Sequence, residues 1–383
     1  MSTPFALVGD AIATTGRYRA AVVIRDGKVF ELTRDPRSGD LPKDNRAVSG
    51  LICPGFIDLQ INGGFGVDVG PDPKVLKTLA SKLPQTGVTA FLPTAISWPT
   101  ERYEAFFEAL ENASTTSGAR ILGAHLEGPF LSVERKGAHD PANLRSVDLG
   151  FLREVLSFGK IRIMTLAPEL PKALEAIQAL SEEGVIASAG HTSATYEQVL
   201  DALDAGMSLG THLYNAMSPM RHRAPGAVGA LLTDDRARVG VIFDGVHVHE
   251  GALRLAYRAK GLQGLALVTD AMEAAGMPPG EYELSGRSVE VKDGTVRLPD
   301  GTLAGSVLTM DRAVRNAHRF LRIPLEDAVR MATETPASIL GFTKKGRIMV
   351  GADADLTLLA PDGMVSETIV TGETVYRSEE NDS

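Results

Sequence analysis

GVIASAGHTSATYEQVLDALDAGMSLGTHL (184–213) holds the repeating unit of the fold in its clearest form. It opens on a short apolar run ending at His191 and passes through TYEQVLDALDAG (195–206), where helical spacing stops at Gly206. It closes on a second apolar run that reaches His212. Apolar runs of this length alternating with helix-length segments read as βα units of a parallel sheet. LICPGFIDLQ (51–60), VTAFLPT (88–94), ILGAHLE (121–127) and IRIMTLAPE (161–169) precede it, and VGVIFDG (239–245) and LALVTDA (265–271) follow. From the first start at 51 to the last at 265, successive runs begin 23 to 40 residues apart. Eight such units predict an α/β fold, the closed (β/α)8 or TIM barrel, whose catalytic groups sit at the C-terminal ends of the strands. Those ends carry Gln60, Asn62, Glu127, His191, His212, Asp244 and Asp270.

The gaps between the runs suit helices. PKVLKTLASKLPQTG (73–87) and TERYEAFFEALENAS (100–114) have apolar spacings of three to four, and PKALEAIQALSEEG (171–184) begins on a Pro suited to a first helical turn. SVEVKDGTVRLPDG (288–301) reads as a β-hairpin inserted after the eighth strand, and DRAVRNAHRFL (311–321) and PLEDAVRMATETPASIL (324–340) as helices. The two ends of the chain differ from the middle. AAVVIRDGKVFEL (20–32) is a hairpin around Asp26-Gly27, and residues 346–376 are short β runs between Gly and Asp-Gly turns. The expectation is a small β-sandwich domain built from residues 1–53 and 346–383 beside a barrel of residues 54–345.

The chain has 383 residues, 44% hydrophobic and 23% charged, with a net charge of −9 and one cysteine, Cys53. That composition is ordinary for a globular protein. The absence of a Lys/Arg-rich block argues against nucleic acid or an anionic membrane as partner. No run is long enough to cross a bilayer, and MSTPFALVGD lacks the form of a signal peptide. With a lone cysteine, best read as a small buried hydrophobe, a cytoplasmic location is expected.

Glu127, His191 and His212 close the third, fifth and sixth predicted strands, so a barrel brings them to one mouth. One carboxylate and two imidazoles with an open position form a donor set of catalytic zinc sites. Each His alone reads as an ordinary hydrogen-bonded residue; the three together point to a divalent metal, with zinc first and iron, cobalt or manganese also compatible. Asp270 closes the eighth strand, where it caps the next segment or acts as base and acid beside an activated water. Gln60 and Asn62 stand where a His-x-His pair would hold a second ion, and amides are poor zinc ligands, so one ion is expected.

PGFIDLQINGG, HLEGPF, LAPE, SAGHTSAT, THLYNAMSPM, DGVHVH, LVTDAM, GSVLTM and the late GADADLTLL together resemble the N-acetylglucosamine-6-phosphate deacetylases of the amidohydrolase superfamily. The likeness runs from about Pro54 to the end of that last motif. It implies a barrel with a β-sandwich made from both termini, and hydrolysis of N-acetyl-D-glucosamine 6-phosphate to D-glucosamine 6-phosphate and acetate. It makes Glu127, His191 and His212 the metal ligands and Asp270 the catalytic Asp. His139, which alone reads as an exposed loop residue, would contact the acetyl carbonyl. His247, Arg223 and the backbone of Asn215 and Ala216 would bind the sugar phosphate, with Arg223 offered across a homodimer. Arg221 in the same MSPMRHRAPG loop is a second candidate for the arginine. Leu131–Asn143 is a candidate lid; His249 has no assigned role and reads as a surface residue or one just behind the site, and His318 reads as structural. Rival readings are an amidohydrolase acting on N-acetylgalactosamine 6-phosphate or another amide, and a non-catalytic barrel scaffold.

Overall fold

The computed structural model describes residues 3–113 and 117–379, so Ser114 of the second predicted helix and residues 380–383 of the polar tail RSEENDS lie outside the described residues. Eight parallel strands form the barrel: Phe56–Ile61, Val88–Ala95, Ala124–Glu127, Ile161–Leu166, Ile186–Ala189, Leu209–Gly210, Arg238–Ile242 and Leu265–Val268. Each pairs with the next in chain order. The ring closes where Ile61 bridges Ala271 in parallel, with Asn62 N donating to Ala271 O at 2.7 Å and Asp270 N to Gln60 O at 2.9 Å. That closure is what sets Asp270 beside Gln60 and Asn62.

Several helices bury one stripe each. In Thr100–Ala113 the buried residues Tyr103, Phe106, Phe107 and Leu110 recur at helical spacing. Tyr196–Asp204 starts at a capping box in which Thr195 and Gln198 each satisfy the other's backbone N–H, and it buries Val199, Ala202 and Leu203. The helix expected from Pro171 begins at Ala173, because Lys172 is left-handed at φ 67°. The segment 324–340 forms two helices, Leu325–Ala332 and Glu334–Ile339. Pro336 lacks the N–H that would continue the ladder to Ala332.

Both ends of the chain contribute to one seven-stranded sheet, with Phe5–Ala13, Gly16–Arg25, Lys28–Arg34 and Asp44–Pro54 from the first and Leu356–Leu359, Val365–Val370 and Glu373–Arg377 from the last. The join is Asp44–Pro54 against Leu356–Leu359, in which Cys53 faces Thr357. The sheet wraps until its two ends meet: a Cβ on Gly27, in the hairpin of one end, would lie 2.7 Å from Thr371 in the turn of the other. Leu7, Val22, Ile24, Ile52, Leu356 and Ile369 are buried inside that wrap, a core separate from the barrel's.

One expectation divides. LICPGFIDLQ is two strands, because Leu51–Pro54 ends a strand of the terminal sheet and the barrel strand starts at Phe56. Gly55 is the break: a Cβ there would sit 2.1 Å from Thr89 Oγ1, so only glycine lets the chain pass that close to the second strand. The predicted hairpin insertion is Gly280–Leu284, Arg287–Lys292 and Thr295–Arg297, a three-stranded sheet with its own small core.

Candidate active site

At the C-terminal mouth of the barrel lies a cavity of about 330 Å³. Glu127, His139, His191, His212, Asn215, Ala216, His247 and Asp270 all line it. Arg223 does not. It is exposed in the turn closed by the Arg221–Ala224 bridge, and Arg221 and His222 are exposed beside it. The other histidines lie apart from the cavity. His249 accepts from Gly251 N at the start of the helix Glu250–Gly264, and His318 Nδ1 donates to Ile323 O.

Glu127 is the last residue of the third strand, and His191, His212 and Asp270 stand two residues beyond the fifth, sixth and eighth. These last three share a left-handed backbone, with φ of 49°, 29° and 49°. Outside glycine such a conformation costs on the order of 1–3 kcal/mol and persists where surrounding structure overrides it. Here it coincides with the residues that converge on the cavity.

Glu127 Oε1 lies 3.0 Å from His191 Nε2 and 2.8 Å from His212 Nε2, and the two nitrogens are 3.1 Å apart. His191 Nδ1 is 2.8 Å from the carbonyl of Arg135, which only accepts, so Nδ1 carries a proton and Nε2 is the atom turned to Glu127. Among the described residues, two of the three buried side-chain atoms without a hydrogen-bond partner belong to the same cluster, His212 Nδ1 and Asn62 Oδ1. Burial pulls His212 down, but the bond and charge of Glu127, with Asp270 behind it, outweigh that and raise it to about 9. The field at this point therefore favours positive charge. Burial also resists ionisation of Glu127, yet the facing imidazoles of His139, His191 and His212 hold it well below the usual carboxylate range. These donors, about 3 Å from one another, fit a divalent ion bound by two imidazoles and a carboxylate.

His139, buried rather than exposed, is a further group close to this carboxylate. Its Nε2 is 3.8 Å from Glu127 Oε2. The backbone N–H of Ser97 donates to its Nδ1 at 3.3 Å, so the neutral ring has its proton on Nε2, directed at the cavity. Burial, with the charge of His191, lowers His139 to about 4. In that tautomer the ring is a donor toward the cavity, while its ligand atom also lies within 4.8 Å of those of Glu127 and His191, so these three could group about an ion as well. Nothing local in the sequence links Ser97 to His139, 42 positions away.

Asp270 is 8% exposed. Burial and the nearby charge of Glu127 push its carboxyl up to about 6. Two amides steady it: Asn62 Nδ2 donates to Oδ1 at 2.7 Å and Gln60 Nε2 to the same oxygen at 3.1 Å. Gln60 Nε2 also lies 3.2 Å from Glu127 Oε1. The pair read in the sequence as a missing His-x-His thus has a positive task, donating to both carboxylates. Across the cavity, His247 Nδ1 bonds Asp244 Oδ2 at 2.6 Å, which fixes the ring. The Leu131–Asn143 segment forms one wall; Arg135 Nε bonds Ser193 Oγ and Arg287 bonds the carbonyl of Ala138. Leu284, Thr302, Leu303 and Gly305, from the inserted sheet and the loop after it, form another, and no sequence signal marks them.

The amidohydrolase family model matches residues 51–375. An N-acetylglucosamine-6-phosphate deacetylase of Bacillus subtilis is 40% identical over 94% of each chain. An N-acetylgalactosamine-6-phosphate deacetylase of a Shewanella species is 38% identical over 99% of this chain and 98% of its own. The solved structure of a mutant Mycobacterium smegmatis N-acetyl-D-glucosamine-6-phosphate deacetylase, in complex with N-acetyl-D-glucosamine-6-phosphate, superposes with a TM-score of 0.92. It is 33% identical, covering 98% of this chain and 100% of that one. Likeness of this extent, in sequence and in fold together, settles the affiliation: the chain belongs to the amidohydrolase family.

Proposed function

We propose that this chain hydrolyses N-acetyl-D-glucosamine 6-phosphate to D-glucosamine 6-phosphate and acetate. The observation that carries the reading is Asp270, a buried carboxyl raised to about 6 in one cavity with Glu127, His191 and His212. Relatives of that activity near 40% identity support it. Glu127, His191 and His212 would hold one divalent ion, zinc by preference, with iron, cobalt or manganese suiting the same donors. Such an ion polarises an amide carbonyl and acidifies the attacking water.

Asp270 takes the proton of that water and hands it to the departing amine nitrogen, tasks for which a group titrating near 6 is suited close to neutral pH. The Nε2–H of His139 donates to the carbonyl oxygen as negative charge gathers there. His247, oriented by Asp244, and the backbone of Ala216 receive the phosphate. Asn215 has its backbone N–H on the His212 carbonyl at 3.0 Å and its side-chain amide there at 3.1 Å, so its task is to hold that turn. Arg223, exposed and outside its own cavity, serves the site of a second copy in a homodimer. The division into residues 1–53 with 346–383 and a barrel of 54–345 belongs to this reading; Ile348, buried in the terminal core, supports it. No described helix is long and apolar enough to cross a membrane, and a cytoplasmic location is proposed on the buried, unpaired Cys53.

Asp270→Asn tests the assignment: metal content stays at the parent level while turnover falls by about 10²–10⁴-fold. Parent-like turnover overturns it. The Shewanella relative favours a second substrate, the 4-epimer, and assays of both phosphosugars on one preparation decide between them.

A further inference from the structure

Beneath the candidate metal ligands, inside the barrel, lies a chain of buried polar groups that the mechanism does not use. His125 Nδ1 is 3.0 Å from Leu59 O, and its Nε2 is 2.7 Å from Thr165 Oγ1. Thr165 Oγ1 is 2.7 Å from Thr211 Oγ1, which is 2.6 Å from Ser188 Oγ. All four side chains belong to residues no more than 3% exposed. The bonds have one direction. A carbonyl only accepts, so His125 Nδ1 donates to Leu59. In the neutral ring Nε2 is then bare and accepts from Thr165; Thr165 accepts from Thr211, and Thr211 from Ser188. A charged ring is disfavoured at this depth, where neither nitrogen bonds a carboxylate.

We propose that His125, Thr165, Thr211 and Ser188 are positioning residues that set the spacing of Glu127, His191 and His212 for their ion. The proposal rests on the metal-dependent reading above. The chain joins the first, third, fourth, fifth and sixth strands, and its members lead directly into the site. Leu59 precedes Gln60, His125 stands two residues before Glu127, Ser188 three before His191, and Thr211 immediately before His212. Thr165 acts a second time, because its carbonyl accepts from the N–H of Gly128, next after Glu127, at 3.0 Å. The turn into His191 is packed onto the same groups: a Cβ on Gly190 would lie 2.6 Å from Thr165 Cγ2 and 3.0 Å from Thr211 Cβ.

Stability alone does not account for these side chains. Inward positions of such barrels are ordinarily filled by branched apolar residues. Exchanging both partners of a buried hydrogen bond for apolar groups of the same shape is close to neutral. Directional bonds do what apolar packing does not: they fix how far each strand reaches along the barrel axis, and hence where donors about 3 Å apart fall. Partners that orient ligands in this way are worth about 10–100-fold in metal affinity.

The test is zinc affinity, measured by competition with a chromophoric chelator and without substrate, on the parent and on Thr165→Val, Thr211→Val, Thr211→Ser and Ser188→Ala. Both valine variants are expected to bind zinc about 10–100-fold more weakly, with kcat lowered and KM within about twofold of the parent. Thr211→Ser restores affinity to within about threefold, and Ser188→Ala, which removes only the terminal donor, weakens it by a similar small factor. Thr368→Val is the control, since Thr368 Oγ1 donates to Pro84 O at 2.7 Å, away from the site. It lowers the thermal midpoint and leaves zinc affinity unchanged. Zinc affinity within about twofold of the parent in whichever of Thr165→Val and Thr211→Val folds refutes the positioning role. A parent that takes up no divalent metal refutes the metal centre itself, and this proposal with it.

Discussion

Asn62→Leu removes one hydrogen bond from the proposed base and almost nothing else. Asn62 Nδ2 donates to Asp270 Oδ1 at 2.7 Å, while Asn62 Oδ1 has no partner to lose. The backbone bonds of Asn62 to Ala271 and Val69 survive the change. A hydrogen bond to a charged group is worth about 1.5–3 kcal/mol, and each 1.36 kcal/mol moves a pKa by one unit. The lost donor favours the carboxylate, so its removal raises Asp270 by about 1–2 units. Gln60 Nε2 remains 3.1 Å from the same oxygen, which places the shift in the lower half of that range. The base works deprotonated, so the acid limb of kcat/KM moves to higher pH, from near 6 to near 7. A profile between about pH 5 and pH 9 reads this directly: the variant is about fivefold slower than the parent near pH 6, nears tenfold slower at about pH 5, and is close to it at the alkaline end. An acid limb within about 0.3 unit of the parent's refutes the reasoning. A uniform loss at every pH refutes it too, because Asn62 would then act on something other than the proton equilibrium.

Gly190→Ala forces a methyl against Thr165 and Thr211 and is expected to cost about 1–3 kcal/mol in urea unfolding; a cost below about 0.5 kcal/mol contradicts the packing. Asp58 is buried between the first and eighth strands, and burial lifts it to about 7 although Thr269 and the Gln60 N–H stabilise its charge. Its folded value lies above its unfolded one, so its contribution is complete below about pH 4 and is lost as pH rises through 7. Asp58→Asn should flatten the fall in unfolding free energy over that window, and equal slopes in both proteins would contradict the assignment. Arg223→Ala is expected to raise KM for the phosphosugar by about 10-fold or more, with kcat changed less and the unphosphorylated sugar unaffected. An unchanged KM would remove Arg223 from the phosphate site.

Much of this was legible along the chain because barrel strands are short, local and apolar. All eight barrel strands overlap the apolar runs, and Glu127, His191, His212 and Asp270 stand at or just past the ends where periodicity locates them. The break at Gly55 was not legible, because the contact that enforces it comes from Thr89, on another strand. His139 reads as an exposed loop residue until Ser97 is brought against it. Gln60 and Asn62 read as an absence, since the carboxylate they hold lies 210 and 208 residues away.

The sequence by itself determined the barrel, the terminal β unit and the residue types at each strand end, because hydrophobic period and turn chemistry act over a few neighbouring residues. Which nitrogen of His139 bears the proton, why Asp270 titrates near 6, and that Arg223 lies outside the cavity lining depend on the folded arrangement. Those properties belong to through-space fields and hydrogen bonds between strands far apart in the chain, and they exist only once the ring of strands has closed.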